Sequence, residues 1–342
     1  MTPGARGRRR GVLVAVCAAL VVVGVGVGVT FAAFSATTTT PVASFSAAAD
    51  FSAGTLRVAT GSYTGDGVNG RAISAGFQPD VVIVKAATAQ IGVMRTSSMT
   101  TAAKPLSGAT ALTAGLIQGL TATGFTLGTD ARTNASSTVY TWTAFRASTG
   151  VLKVGTYTGT GATRTVTGVG FSPEYVFVAS AGTGRAVQQA TTTTNGYTFD
   201  SAKGVAGRLT GVTADGFTVA TNADTNASGV AYHYVAFNVV PGAVNVASYA
   251  GNNTSGRSVT GVGFSPLWVN VRADDSVTAR NAQQRSTAVT GTASQFYSGT
   301  ANLTTTGISA FLADGYQIGT DTSVNATGVT YYHLAVANTA TG

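Results

Sequence analysis

Val81-Val-Ile-Val-Lys85, Tyr175-Val-Phe-Val-Ala179 and Trp268-Val-Asn-Val-Arg272 read as three versions of one β-strand. Each follows a Gly-Phe-x-Pro segment, at 76–79, 170–173 and 263–266. The second and fourth positions are valine every time: Val82 and Val84, Val176 and Val178, Val269 and Val271. Side chains alternate between the faces of a strand, so these valines share one face, and their sameness across copies marks it as core. The opposite face carries Val-Ile-Lys, then Tyr-Phe-Ala, then Trp-Asn-Arg. Its divergence predicts an outer or contact surface.

Other elements recur around this strand in a fixed order. Gly61-Ser-Tyr-Thr-Gly65, Gly155-Thr-Tyr-Thr-Gly159 and Ala247-Ser-Tyr-Ala-Gly251 open the unit. Gly124-Phe-Thr, Gly216-Phe-Thr and Gly315-Tyr-Gln follow, then Asn134-Ala-Ser, Asn226-Ala-Ser and Asn325-Ala-Thr. Each copy closes on an aromatic strand: Tyr140-Thr-Trp-Thr-Ala-Phe, Tyr232-His-Tyr-Val-Ala-Phe or Tyr331-Tyr-His-Leu-Ala-Val. Equivalent positions lie 92–99 residues apart, which places three repeats at 57–149, 151–241 and 244–340. Short runs of Thr, Val, Tyr and Phe bounded by Gly, Asn, Asp and Pro predict strands joined by turns. The nearest helical candidate, Ala111 to Leu120, is weakened by Gly115 and Gly119. The expected fold class is all-β: three tandem β-sandwich, jelly-roll-like domains, each of about seven short strands.

Composition narrows the chemistry. Only 9% of the 342 residues are charged, and Glu174 is the sole glutamate. His233 and His333 are the only histidines and fall at adjacent columns of the closing strand, so they share no geometric slot. No Gly-x-Ser-x-Gly element is present, and no enzyme, cofactor or metal site is expected. Gly65-Asp-Gly-Val-Asn-Gly70 has dinucleotide-loop spacing, yet a strand-like segment follows it, so a hairpin turn is the better reading. Asp130 with Asn134, Asn222 with Asn226, and Asp321 with Asn325 offer oxygen ligands for Ca²⁺. Asx turns account for the same residues more simply, and for the Asn-x-Ser/Thr triplets as well.

Two groups of side chains are candidates for ligand binding. The first comprises Tyr140 and Trp142, Tyr232 and Tyr234, and Tyr331 and His333, which alternate along one face of the closing strand. Rings set out this way could stack on sugars, or pack between sheets. The second is Trp268, Asn270 and Arg272 on the non-core face of the third repeat. A ring beside an amide and a guanidinium suits a polyhydroxylated or planar partner, and packing beneath a neighbouring sheet is the structural alternative.

The N-terminus reads as an export signal. Arg6, Arg8, Arg9 and Arg10 precede an uncharged stretch, Gly11 to Phe34, rich in Val, Ala and Leu. Small residues near Ala33 and Ala36 favour cleavage, with retention as a membrane anchor as the alternative. Residues 1–36 are therefore assigned as signal peptide and 37–56 as a polar linker. Removing the leader takes four arginines away and lowers the net charge from +8 to +4. The remaining cations are scattered singly, so nucleic acid is not an expected partner. The lone Cys17 lies in this leader and excludes a disulfide framework.

The run Thr30-Phe-Ala-Ala-Phe-Ser-Ala, followed by Ser44-Phe-Ser-Ala, resembles leaders of camelysin-like and biofilm-matrix-like secreted proteins of Gram-positive bacteria. The repeated set Gly-x-Tyr-x-Gly, Gly-Phe-x-Pro and Asn-Ala-Ser/Thr is similar to concanavalin-like repeats of secreted bacterial surface proteins and phage tail-fibre-like proteins. That resemblance covers most of 57–340 and implies a lectin-like β-sandwich at an exterior surface, without catalytic residues. Copy one departs from it by lacking the Asp before Gly124, and copy three by a longer middle segment. The expected role is a secreted or cell-surface structural and adhesive protein, with a carbohydrate-binding module array as the alternative. Surface glycans or matrix components are the expected partners, and a membrane is expected only through an uncleaved leader. N-terminal sequencing of exported material should begin within a few residues of Ala33 to Ala36; an intact Met1 in a membrane fraction overturns cleavage.

Overall fold

A computed structural model describes residues 56–338, apart from 194, 203, 275–279 and 300–302. The assigned leader and most of the linker lie outside these residues. The chain is an all-β sandwich fold. Every repeat builds a large antiparallel sheet from five strands in one order: opening, closing, central, fourth, fifth. The opening strands are Arg57–Thr64, Leu152–Thr158 and Val244–Ala250, and the closing strands Val139–Arg146, Ala231–Phe237 and Thr330–Val336. The central strands, Val81–Ala86, Tyr175–Ser180 and Trp268–Ala273, carry the valine pairs. The fourth are Val93–Thr96, Val187–Ala190 and Gln283–Ser286; the fifth are Lys104–Pro105, Asn195–Thr198 and Gln295–Phe296. The middle repeat adds a sixth strand, Val205–Ala206.

A three-stranded sheet covers one face of each large sheet. In the first repeat it consists of Arg71–Ser74, Gly124–Leu127 and Ile117–Thr121. Its counterparts are Arg164–Thr167, Gly216–Val219 and Leu209–Thr213, then Arg257–Val259, Gly315–Ile318 and Ile308–Leu312. All three repeats bulge at one site, between Ile117 and Gly119, Leu209 and Gly211, and Ile308 and Ala310. The bulge bends the small sheet over its partner. The helical candidate at Ala111 to Leu120 is instead a turn leading into a strand. A single helical turn occurs before each closing strand, at Ala131–Asn134, Ala223–Asn226 and Thr322–Asn325.

The valine pairs fill the space between the two sheets, as their alternation requires: Val82 and Val84 with Phe125 and Leu127, Val176 and Val178 with Phe217 and Val219, Val269 and Val271 with Tyr316 and Ile318. The divergent face is a contact surface between the repeats and not an outer one. Val81, Ile83, Tyr175, Phe177 and Trp268 belong to a fourth core to which all three repeats contribute. All six residues of each central strand are buried, as in a strand covered on both sides.

Aromatic edge contacts run through this shared core. Phe145 of the first repeat meets Trp268 of the third at 5.3 Å and Phe237 of the second at 6.2 Å between ring centres. Phe237 continues to Phe177, Phe177 to Phe199, and Phe199 to Tyr297 of the third repeat. Such T-shaped pairs align the positive ring edge with the negative ring face.

The fifth strands close the ring. Lys104, Tyr197 and Gln295 occupy one column, opposite Met94, Gln188 and Gln284. Lys104 donates to the carbonyls of Ser180, Gly182 and Gly184 in the second repeat. Tyr197 donates to Asp274 in the third, and Gln295 accepts from Thr141 in the first. Each repeat thus reaches into the next, and the last reaches back to the first. The three sandwiches also share a core, so a repeat standing alone would leave its part of that core uncovered. Trp268→Ala should lower unfolding stability by about 3–5 kcal/mol in urea denaturation. A loss below about 1 kcal/mol would show that the shared core does not depend on the indole.

Candidate functional site

The repeated motifs build one fastening device per repeat. Asp130, Asn222 and Asp321 cap the helical turn, each accepting from the backbone N–H two residues on, at 2.9, 2.9 and 2.8 Å. At the other end of the turn Asn134, Asn226 and Asn325 are wholly buried. The Asn134 amide donates to Val68 O and Gly128 O, both at 2.9 Å, while its Oδ1 accepts from Asp66 N–H. Asn226 and Asn325 repeat this arrangement. These bonds engage the asparagine side chains inside the fold, so the triplets serve as turns, and the capping oxygens hold backbone N–H groups.

The closing-strand tyrosines lock the same turn. Tyr140 Oη accepts from Ala135 N–H at 2.8 Å and donates to Ala131 O at 2.6 Å. Tyr232 and Tyr331 bridge their turns identically. Tyr63, Tyr157 and Tyr249 of the Gly-x-Tyr-x-Gly motif stack on these rings at 5.1, 5.1 and 5.3 Å. Arg71, Arg164 and Arg257 lie over the outer ring of each stack.

Two glycine columns follow from close approach. A side chain at Gly65, Gly159 or Gly251 would strike the carbonyl of Ala135, Ala227 or Ala326. Gly61 lies opposite Trp142 and Gly155 opposite Tyr234, where a Cβ would enter the ring. The third repeat has Ala247 at this column, facing the smaller His333. Small and large thus alternate across the strand pair.

All nine candidate binding residues are buried. Trp142, Tyr234 and His333 meet Phe125, Phe217 and Tyr316 edge-on between the sheets. Trp268 has 0% exposure and donates through Nε1 to Gln284 at 2.8 Å. Asn270 donates to Gln188 at 2.7 Å and Tyr175 at 3.2 Å, across the boundary between the second and third repeats. Arg272 donates to the carbonyls of Ala202 and Arg280 and lies over Tyr197. A sugar-stacking platform needs an exposed ring face, so neither aromatic set provides one.

The two histidines are likewise built in. His233 faces the boundary with the first repeat, where Nδ1 lies 2.9 Å from Ser98 Oγ. Burial, with Lys104 nearby, lowers its pKa. His333 lies between Tyr316 Oη and Asn245 Oδ1, and burial pushes its pKa down to about 4. Burial also pulls Lys85 and Lys104 down to about 8, while the carbonyls receiving their N–H bonds favour the ammonium.

Open clefts among the described residues include one on the middle repeat and one where the first repeat runs into it. One, of about 430 Å³, is lined by Gln189, Thr191–Thr193, Leu209 and Thr210. The other, of about 320 Å³, lies beside Lys153, Gly168 and Phe171. Single-strand alternation does not reveal either one. The signal for the first is a column in which Arg95 and Arg285 flank Gln189 in the repeat alignment. No protein-family model matches the chain, and no curated protein matches it.

The buried histidines set an expected acid response. The folded pKa of His333 lies below the ordinary 6.5, so the unfolded chain takes up a proton first. Stability present above pH 6.5 should therefore fall as the pH drops from about 6.5 to about 4. Urea midpoints across this window should decline, and His333→Gln should flatten the decline. An unchanged slope in the variant would refute this assignment.

Proposed function

We propose that the chain is a non-catalytic structural and adhesive protein displayed outside the cell. The observation that carries this reading is the commitment of its reactive side chains to holding the fold closed. Each of the ten described carboxylates accepts a hydrogen bond within the chain. Asp215 and Asp314, for example, each receive two backbone N–H groups of the Gly-x-Gly loop before Phe171 and Phe264. These bonds hold both carboxyls below the ordinary carboxylate range. The histidines and buried cations serve the packing of repeats in the same way.

The solvent faces support an adhesive role. Ser74, Thr121, Thr165, Thr167 and Ser258 are exposed on the small sheets and present short hydroxyl side chains. Such a face makes many weak hydrogen bonds without ordering long side chains. The leader and the resemblance to bacterial surface repeats support an exterior location. The carbohydrate reading loses its aromatic platforms and rests on that resemblance alone. The leaderless chain should attach to whole cells or matrix material while giving no selective signal on a glycan array. Selective binding of one glycan class would replace this reading with the carbohydrate-binding one.

A further inference from the structure

At one end of each sandwich lies the loop that leads into its Gly-Phe-x-Pro segment, and the first repeat reverses the charge found there in the other two. In the second and third repeats the loop before Phe171 or Phe264 holds a carboxylate, Asp215 or Asp314, on its backbone N–H groups. The first repeat has Thr123 in that place, and the N–H groups of Ala75 and Gly76 bond to its carbonyl instead.

Two arginines stand at this end of the first repeat. Arg57 begins the opening strand, Arg146 ends the closing strand, and the register sets them directly opposite each other. Residues paired in this way have Cα atoms about 4.5–5.5 Å apart. Both side chains are exposed. The Arg57 guanidinium lies over the Phe77 ring at 5.1 Å, which fixes its plane and leaves its N–H edge open. Neither guanidinium has a hydrogen bond or an ion pair among the described residues. Asp80, three residues after Phe77, accepts from the Ala147 N–H at 2.8 Å and pairs with neither. Like charges directly opposite on neighbouring strands repel and weaken the strand pair. The other repeats avoid this conflict. One residue outside the pairs Leu152–Phe237 and Val244–Val336 they carry Val151 with Asn238, and Ala243 with Ala337.

We infer that Arg57 and Arg146 form a binding site for a phosphate group. Two guanidinium forks that approach from neighbouring strands suit a tetrahedral oxyanion, whose oxygens accept charge-assisted bonds from both. The anion placed between them also turns a repulsive pair into two attractive ones. A soluble or polymer-borne phosphate ester and a lipid headgroup present the same chemistry to these side chains. The assignment goes beyond the adhesive reading and does not rest on it.

The test titrates the leaderless chain with sodium phosphate at constant ionic strength, following the backbone amide signals of Arg57, Val58, Phe77, Arg146 and Ala147 by NMR. Saturable shifts confined to those amides are expected. Arg57→Gln and Arg146→Gln should each weaken binding about tenfold without lowering the urea midpoint, because each removes one charge-assisted partner and relieves the repulsion. Lys153→Gln, which removes an exposed cation from the opening strand of the second repeat, should leave binding unchanged. Co-sedimentation with phosphatidylglycerol vesicles separates the sources: capture assigns the site to a headgroup, and saturation by free phosphate without capture assigns it to a soluble or polymer-borne group. Shifts that do not saturate, that sodium chloride reproduces, that survive in both arginine variants, or that Lys153→Gln removes equally would overturn the assignment.

Discussion

Phe145 touches Phe237 on one side and Trp268 on the other, so one aromatic ring from each repeat meets at a single place. The remaining architecture depends on that three-way contact. It requires the central strands to be buried on both faces, and it turns three sandwiches into walls of one enclosed space. Burial of Tyr175, Phe177, Phe199, Phe237 and Trp268 supplies the apolar driving force that a lone ninety-residue sandwich would lack. Lys104 and the Asn270 amide are tolerated in the boundary because their N–H groups find acceptors. Lys104 reaches carbonyls of Thr110, Ser180, Gly182 and Gly184, and Asn270 pairs with Gln188. An unpartnered ammonium there would cost several kcal/mol.

Two kinds of constraint act on the repeats and leave opposite marks. The fastening of each helical turn is completed inside one repeat, so the same residues solve it three times: Tyr140, Tyr232, Tyr331 and Asn134, Asn226, Asn325. The shared core is a single space filled from three sides. Val81, Tyr175 and Trp268 occupy one column, while Phe145, Phe237 and Val336 occupy another. Three tryptophans or three valines would overfill or underfill that space, and close packing penalises both. Divergence in these columns is thus complementation, with bulk on one repeat offset by small residues on another.

The sandwich class, the repeat order, the valine face and the turn role of the Asx residues were all legible, because each rests on local periodicity or on chemistry within a few residues. Val82 and Val84 point inward in a strand whatever lies beyond the sheet. The candidate site was not legible. Trp268, Asn270 and Arg272 share a face in the sequence, and only the approach of the other two repeats determines that this face is enclosed. The closing-strand rings are a similar case, since alternation gives their common side but not the sheet that covers it.

The cleft at Gln189 lies between these cases. A comparison of columns shows glutamine where two arginines stand, but the cleft follows from chain geometry: a shorter side chain and a shorter hairpin. By itself the sequence determined which residues alternate, turn and repeat, because those properties are set by bonded neighbours and by strand period. Only the tertiary structure decided which of the two faces of each sheet meets water. That outcome is fixed by surfaces distant in the chain, 76 residues between Lys104 and Ser180 and 82 between Gln188 and Asn270, and no local pattern encodes their meeting.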